Sequence, residues 1–482
     1  MVFIRPERVR KRSTMIALRC EAMHQEPTGV HHGRFVPPRL PYPRHPLAAA
    51  GSARIRAVQY RRGGFETMIA VPNPNRSTER ATRAPCPAPN ARMKIAYFVH
   101  DLADAAVHRR LRMMLAFADV TLVGFRRSDH PVPEFAGLMT IELGRTKDAR
   151  LGQRVISVLR AAVNRGNWET RLNGVTHFVA RQLEMLVLAA LTRRRIAPSA
   201  PLAFECLDIH RLMLTRQPIG IALRGLERHL LRSCSLLMVS SPAFLTNHFA
   251  RYRSATPPHL LLENKVMSRD IPPGQLESIP RLRATGPASG PPWRIGWFGV
   301  IRCRRTLLLL ADLVRRLPNE VEVIIRGRPR RNIIPDFGEV VAATPGLSYL
   351  GEYDRHSDLA TIYGDVHFTW AIDFYEAGRN SDWLLPNRLY EGTLYGAVPL
   401  ALASVETGRW LADRQCGIRL NDAGDQSLER SLLEYFSRLD PTGYAVARSD
   451  LARVPLSDLL DDQPASERHG TLLNTLAPRY AT

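Results

Sequence analysis

The strongest constraint on this chain of 482 residues is a rhythm of short apolar runs alternating with helical-period segments, played twice. Met93-Lys94-Ile95-Ala96-Tyr97-Phe98-Val99-His100 is a strand pattern that ends on polar residues. Leu111, Met114, Leu115 and Phe117 then recur at spacings that give a helix one buried face. Val120-Thr121-Leu122-Val123-Gly124-Phe125 is a second apolar strand. Strand, helix, strand in this order opens a doubly wound parallel sheet. A long apolar helix near 175–195 and strands at 201–206 and 236–240 continue it. The rhythm restarts with strands at 294–299, 321–325, 347–351 and 366–370 and an amphipathic helix over 306–316. The expected fold is α/β: two Rossmann-like doubly wound domains facing across a cleft.

Composition separates the ends from this core. Residues 1–92 hold 12 of the 36 prolines and 17 Lys+Arg against 5 Asp+Glu, with no apolar periodicity. Such a segment buries too little surface to offset its ordering entropy, so it reads as a disordered basic extension, with Met93 as a second candidate start. The predicted organisation is this extension (1–92), a first Rossmann-like domain (93–270), a linker rich in Pro and Gly (271–292), a second Rossmann-like domain (293–425) and C-terminal helices with a tail (426–482).

The net charge of +22 does not signal nucleic acid. Of it, +12 belongs to residues 1–92, and arginine supplies 63 of the 67 basic residues, as GC-rich codon usage would. No aromatic interleaving or recognition motif accompanies the charge. Six scattered cysteines without a Cys-x-x-Cys pair argue against a zinc site or disulfide framework and fit a reducing compartment. The densest apolar run, Leu183 to Leu191, is broken by Glu184 and is too short to span a bilayer. The expected location is the cytoplasm, with the basic surface suited to peripheral contact with the anionic inner face of the membrane.

Ligands of open parallel sheets bind outside the carboxyl ends of the strands. In the second domain such positions carry Gly299 followed by Arg302 and Arg305, and Gly327 between Arg326 and Arg328. Glycine admits a phosphate to the backbone, and arginines pair with phosphate oxygens. Asn387, Arg388 and Glu391 stand early in a helix that ends at Gly396, before the strand Val398-Pro399-Leu400. The two oxygens of Glu391 match a ribose diol, although a carboxylate there also complements a helix dipole. In the first domain, His100 and Asp101 end the first strand, and Asp208 and His210 follow another. They are candidates to orient, or act as base on, a hydroxyl of a bound ligand.

The stretch from Pro386 to Leu400 resembles the donor signature of the GT-B glycosyltransferases of family 4. Together with Met93 to His100, Leu207 to Arg211, Ser240 to Phe244 and Glu263-Asn264-Lys265, it is similar to exopolysaccharide glucosyltransferases of the succinoglycan pathway, over roughly residues 93–425. The resemblance implies that Glu391 holds the ribose, that Arg302 or Arg305 neutralises the diphosphate, and that Asn387 and Arg388 line the crevice. It implies no cofactor and no metal, a nucleotide-sugar donor (UDP-glucose being the expectation) and a lipid-linked saccharide acceptor. There are departures. The family places a first glutamate eight residues before Glu391, where this chain has Trp383, leaving Asp373, Glu376 or Asp382 to supply it. The first strand's loop has His100-Asp101-Leu102 in place of paired glycines. A non-catalytic GT-B scaffold and a GT-B epimerase are the alternatives.

Overall fold

The computed structural model describes residues 92–462 apart from 128–131, 133, 147–150, 273 and 423–426, together with residues 470 and 473. The expected extension therefore lies, but for Arg92, outside the described residues.

The first half is built on β1 (Met93–Val99), β2 (Ala118–Arg126), β3 (Leu138–Arg145), β4 (His177–Arg181), β5 (Leu202–Cys206), β6 (Leu236–Val239) and β7 (His259–Leu261). They form one parallel sheet in the order β3-β2-β1-β4-β5-β6-β7. Its helices are α1 (Ala105–Leu115), α2 (Leu151–Val163), α3 (Leu183–Ile196), α4 (Pro218–Leu231) and α5 (Pro242–Asn247). Side chains alternate across β1. Ala96 and Phe98 pack with Val158 of α2, Leu186 of α3 and Leu230 of α4, whereas Ile95, Tyr97 and Val99 pack with Val107 and Leu111 of α1. Each fully buried phenylalanine, such as Phe98, Phe178 and Phe204, contributes roughly 1.5–3 kcal/mol.

The helix expected near 175–195 is in fact two elements. β4 is buried on both faces, so it reads as a continuous apolar run that periodicity cannot tell from a buried helix. Gln182, at φ 72°, breaks the chain direction before α3 begins. β3 and β7, at the sheet edges, escaped the sequence reading.

A short strand, β8 (Val266–Met267), and α6 (Gln275–Thr285) connect the halves. The stretch read as a linker thus contains a helix, and its Ile279 is fully buried in the core of the second sheet. That sheet comprises β9 (Trp293–Ile301), β10 (Val321–Pro329), β11 (Leu347–Tyr349), β12 (Phe368–Trp370), β13 (Val398–Leu402) and β14 (Ile418–Leu420), all parallel, in the order β11-β10-β9-β12-β13-β14. Around it lie α7 (Arg304–Arg316), α8 (Phe337–Ala342), α9 (Leu359–Gly364), α10 (Asn380–Trp383), α11 (Asn387–Tyr395), α12 (Glu406–Asp413), α13 (Leu428–Arg438) and α14 (Pro441–Ala452). A last turn, α15 (Leu456–Leu459), leads into β15 (Leu460–Asp461), which pairs with β8.

The halves meet along two lines. On one, the Asn380 side chain accepts from the Ile209 amide at 2.9 Å and donates to the Ile209 carbonyl at 2.7 Å, while Trp383 meets Phe244 edge to face. On the other, Arg112 of α1 donates to Asp270 at 2.5 Å and lies 3.3 Å from the His356 ring.

Candidate functional site

Near the end of β9, Gly299 takes φ 108°, a conformation that favours glycine. A side chain there would meet no atom within 4 Å, so the space over this turn is open. Gly327 has a different reason. It is buried, and a Cβ would lie 1.9 Å from the Gly299 carbonyl oxygen, so its bareness lets β10 pass close to β9. The cation that this segment supplies is its neighbour Arg326.

Arg302 follows β9 directly. It donates to Asp373 at 3.3 Å and lies over the Tyr375 ring at 4.6 Å. Arg305, exposed in the first turn of α7, lies over Phe374 at 4.2 Å. The segment 373–375 thus holds both arginines beside the open turn. Of the three carboxylates that could stand for the family's first glutamate, Asp373 is the one at this position. Glu376 accepts from Asn380, and Asp382 accepts from the Gly378 amide.

α11 supplies the opposite wall. Asn387 is exposed at its start, and Arg388 donates to the Ile372 carbonyl at 3.2 Å. Glu391 sits at mid-helix rather than in the first turn, so dipole complementation does not explain it. It is 3% exposed. Its Oε1 accepts from Arg355 at 2.8–2.9 Å, and its Oε2 accepts from the Tyr363 hydroxyl at 3.1 Å. Burial and the Glu391 charge push the Tyr363 phenol well up, so it stays a donor.

Three arginines around this carboxylate are incompletely paired. Nε of Arg388, Nε of Arg326 and both Nη of Arg109 are buried with no acceptor in reach among the described residues. Arg326 and Arg388 both act on Tyr353, beside Glu391. Burial, Arg355 and Arg110 push the pKa of Arg109 down to about 9, against the pull of Asp461 and Glu391. An unpaired buried donor costs about 1–3 kcal/mol, more when charged. Several unpaired guanidinium donors near one carboxylate have the chemistry to pair with a multiply charged oxyanion.

Sequence reasoning missed Arg109, Arg326 and Arg355 as members of this cluster. Arg109 stands in the run Arg109-Arg110-Leu111-Arg112, which looks like helix surface. Arg355 was findable, since Tyr353-Asp354-Arg355 follows the strand predicted at 347–351.

The first-domain candidates line the facing edge. His100 Nε2 lies 3.5 Å from Asp104, the N-cap of α1, and its Nδ1 is buried without a partner. Burial would raise the Asp104 pKa, but the hydrogen bond and charge of His100 hold it well below the carboxylate range. Asp101 accepts from the amides of Ala103 and Arg127 and so closes its own loop. Asp208 is exposed and accepts from Gln182, and His210 Nδ1 accepts from the Leu212 amide at 3.3 Å. These four residues follow the carboxyl ends of β1 and β5, and local caps and loop hydrogen bonds set their positions.

No family model matches the chain. The chain is 42% identical, over 362 residues, to the succinoglycan biosynthesis protein ExoL of Rhizobium meliloti; the match spans 75% of this chain and 88% of that protein. Among solved structures, sucrose-phosphate synthase from Thermosynechococcus elongatus matches 80% of this chain and 99% of its own, with a TM-score of 0.60 at 13% identity. Anabaena Alr3699/HepE, solved in complex with UDP and glucose, matches 80% and 100%, with a TM-score of 0.57 at 15% identity. WaaG, a glycosyltransferase of lipopolysaccharide biosynthesis, matches 79% and 100%, with a TM-score of 0.51 at 14% identity. At these identities the structural likeness is one of fold, and the fold is GT-B.

Proposed function

Because the chain belongs to the family of the succinoglycan biosynthesis protein ExoL and has the GT-B fold, we propose that it is a transferase moving a hexose, glucose for preference, from a UDP-sugar to a lipid-linked oligosaccharide in exopolysaccharide synthesis. The convergence of incompletely paired arginines on the wall that carries Glu391 is the observation behind this reading. The diphosphate takes the guanidinium groups of Arg302, Arg326 and Arg388, with Arg109 reaching in from α1. The ribose hydroxyls take Glu391, and Arg355 turns from that carboxylate toward the phosphates. Asp373 contacts the donor sugar. Arginines, rather than a metal ion, neutralise the leaving diphosphate, and His100, Asp101, Asp208 and His210 orient the acceptor. A UDP-bound GT-B protein of the same fold, HepE, supports the choice of nucleotide.

Thermal shift with uridine, guanosine and adenosine diphosphate sugars tests this. At a hundredfold excess over Kd, a ligand adds about 2.7 kcal/mol, a rise of several degrees. UDP-glucose should give that shift in the wild type, and Glu391→Gln and Arg388→Met should reduce or abolish it. A folded protein stabilised by no nucleotide sugar would overturn the donor site and leave a GT-B scaffold as the reading.

A further inference from the structure

The net positive charge of residues 93–482 is concentrated in one segment. Residues 93–482 hold 50 Lys+Arg and 40 Asp+Glu, a net of +10. Residues 151–258 hold 15 arginines and five carboxylates, also +10, so the remaining residues of 93–482 have no net charge. Three of those five carboxylates are turned inward. Glu169 is engaged by Arg165 and Arg195, Glu205 by Arg110 and Arg181, and Glu227 by His248. Glu184 is half-buried, and Asp208 lies at the cleft edge with Gln182. Of the arginines, Arg181 and Arg193 are buried, whereas Arg160, Arg194, Arg228 and Arg232 are exposed.

The same surface is apolar. α2, α3 and α4 form one layer on one face of the first sheet, with α3 between the other two. Ile156, Leu159 and Val163 project from α2 and are 51%, 59% and 83% exposed. Ile219, Ile221 and Leu226 of α4 are 48%, 59% and 39% exposed. Leu191 and Ile196 of α3 are each 36% exposed. Single exposed apolar side chains need no explanation, but a layer that gathers them on three adjacent helices does. Apolar side chains beside arginines, with no exposed carboxylate among the described residues of α2, α3 and α4, complement a surface that is anionic outside and hydrocarbon beneath.

We propose that the outer face of α2, α3 and α4 docks the protein on an anionic lipid bilayer. The apolar side chains enter the headgroup boundary, and the arginines pair with lipid phosphates. α4 begins just beyond the turn Arg211–Leu214, which follows His210 at the cleft edge. Docking by this face therefore brings the cleft mouth to the lipid surface. That consequence rests on the proposed transfer to a lipid-linked acceptor; the docking itself does not.

The test is co-sedimentation of the full chain with vesicles of phosphatidylcholine alone and mixed with phosphatidylglycerol, at low and high salt. Two surface variants, Ile156→Ser/Leu159→Ser/Ile221→Ser and Arg160→Ser/Arg194→Ser/Arg228→Ser, are compared with wild type. Binding should require phosphatidylglycerol and weaken with salt. Each arginine removed should lower partitioning roughly fivefold, so the arginine variant should lose about a hundredfold. The apolar variant should lose the binding that survives salt. UDP-glucose thermal shift, run on the same samples, reports on the donor site separately and should be unchanged in both variants. Absence of vesicle binding in a sample that still responds to UDP-glucose overturns the docking alone. Binding that both variants retain in full overturns it too, since the contact then lies elsewhere, as in the basic residues 1–92. Self-association that both variants abolish, without lipid binding, makes the face a protein interface and equally overturns it.

Discussion

At the scale of single residues, burial decides what a titratable group does. His177 opens β4 and is 7% exposed. Burial pushes its pKa down to about 4, against the opposing effect of a backbone hydrogen bond at Leu473. Above about pH 6.5 the ring is neutral in both folded and unfolded chains and contributes no pH dependence. Below that, the unfolded chain takes up a proton that the folded one resists, so stability falls between about pH 6.5 and 4 and levels off beneath. The total is about 3 kcal/mol. Urea midpoints of wild type and His177→Gln across this range should diverge, the variant showing the flatter profile; parallel profiles would place the effect elsewhere. Glu205 has the opposite dependence. Burial would raise its pKa, but Arg181 and Arg110 outweigh that and hold it at about 2. Its contribution is present above about pH 4.3 and is lost as the pH falls toward 2.

At the scale of elements, α11 is placed by a missing side chain. A Cβ on Gly392 would lie 2.4 Å from Thr369 Cγ2 in β12, so the helix that carries Glu391 rests directly on the strand. Gly392→Ala should overpack this contact and cost about 1–3 kcal/mol. A lower melting temperature and a weaker UDP-glucose shift would report it. Gly225, within α4, is the counter-case, since nothing lies within 4 Å of its Cβ position and its φ is ordinary. Gly225→Ala should stabilise by about 0.4–1 kcal/mol through the unfolded chain. Equal effects at the two glycines would refute the packing argument. Elements were also legible to different degrees. β1, β2, β5, β6 and β9 to β13 announce themselves because each is a short apolar run bounded by polar or turn residues, whereas the three-residue edge strand β14 does not. β4 and α3 merged in the sequence reading because both are buried and only the backbone at Gln182 divides them.

At the scale of the molecule, the two halves are joined by few polar contacts, and Asn380 makes two of them to the backbone of Ile209. Asn380→Ala would strip both partners from that buried peptide, at about 1–3 kcal/mol. Amide exchange at Ile209 and through residues 207–217 should accelerate while exchange in the core strands stays slow; an unchanged pattern would show that the contact does not hold the halves together. The sequence by itself determined the doubled parallel architecture, because strand and helix periods are local and survive in any linear reading. It also marked Arg302, which follows a strand, and Arg388 and Glu391, in the helix between Pro386 and Gly396. Only the tertiary structure decided that Arg109, Arg326 and Arg355 gather near Glu391, and that Glu391 is already held by Arg355 and Tyr363. In a chain with 63 arginines, residue type cannot say which ones are buried, and convergence across two domains depends on contacts that no local pattern encodes.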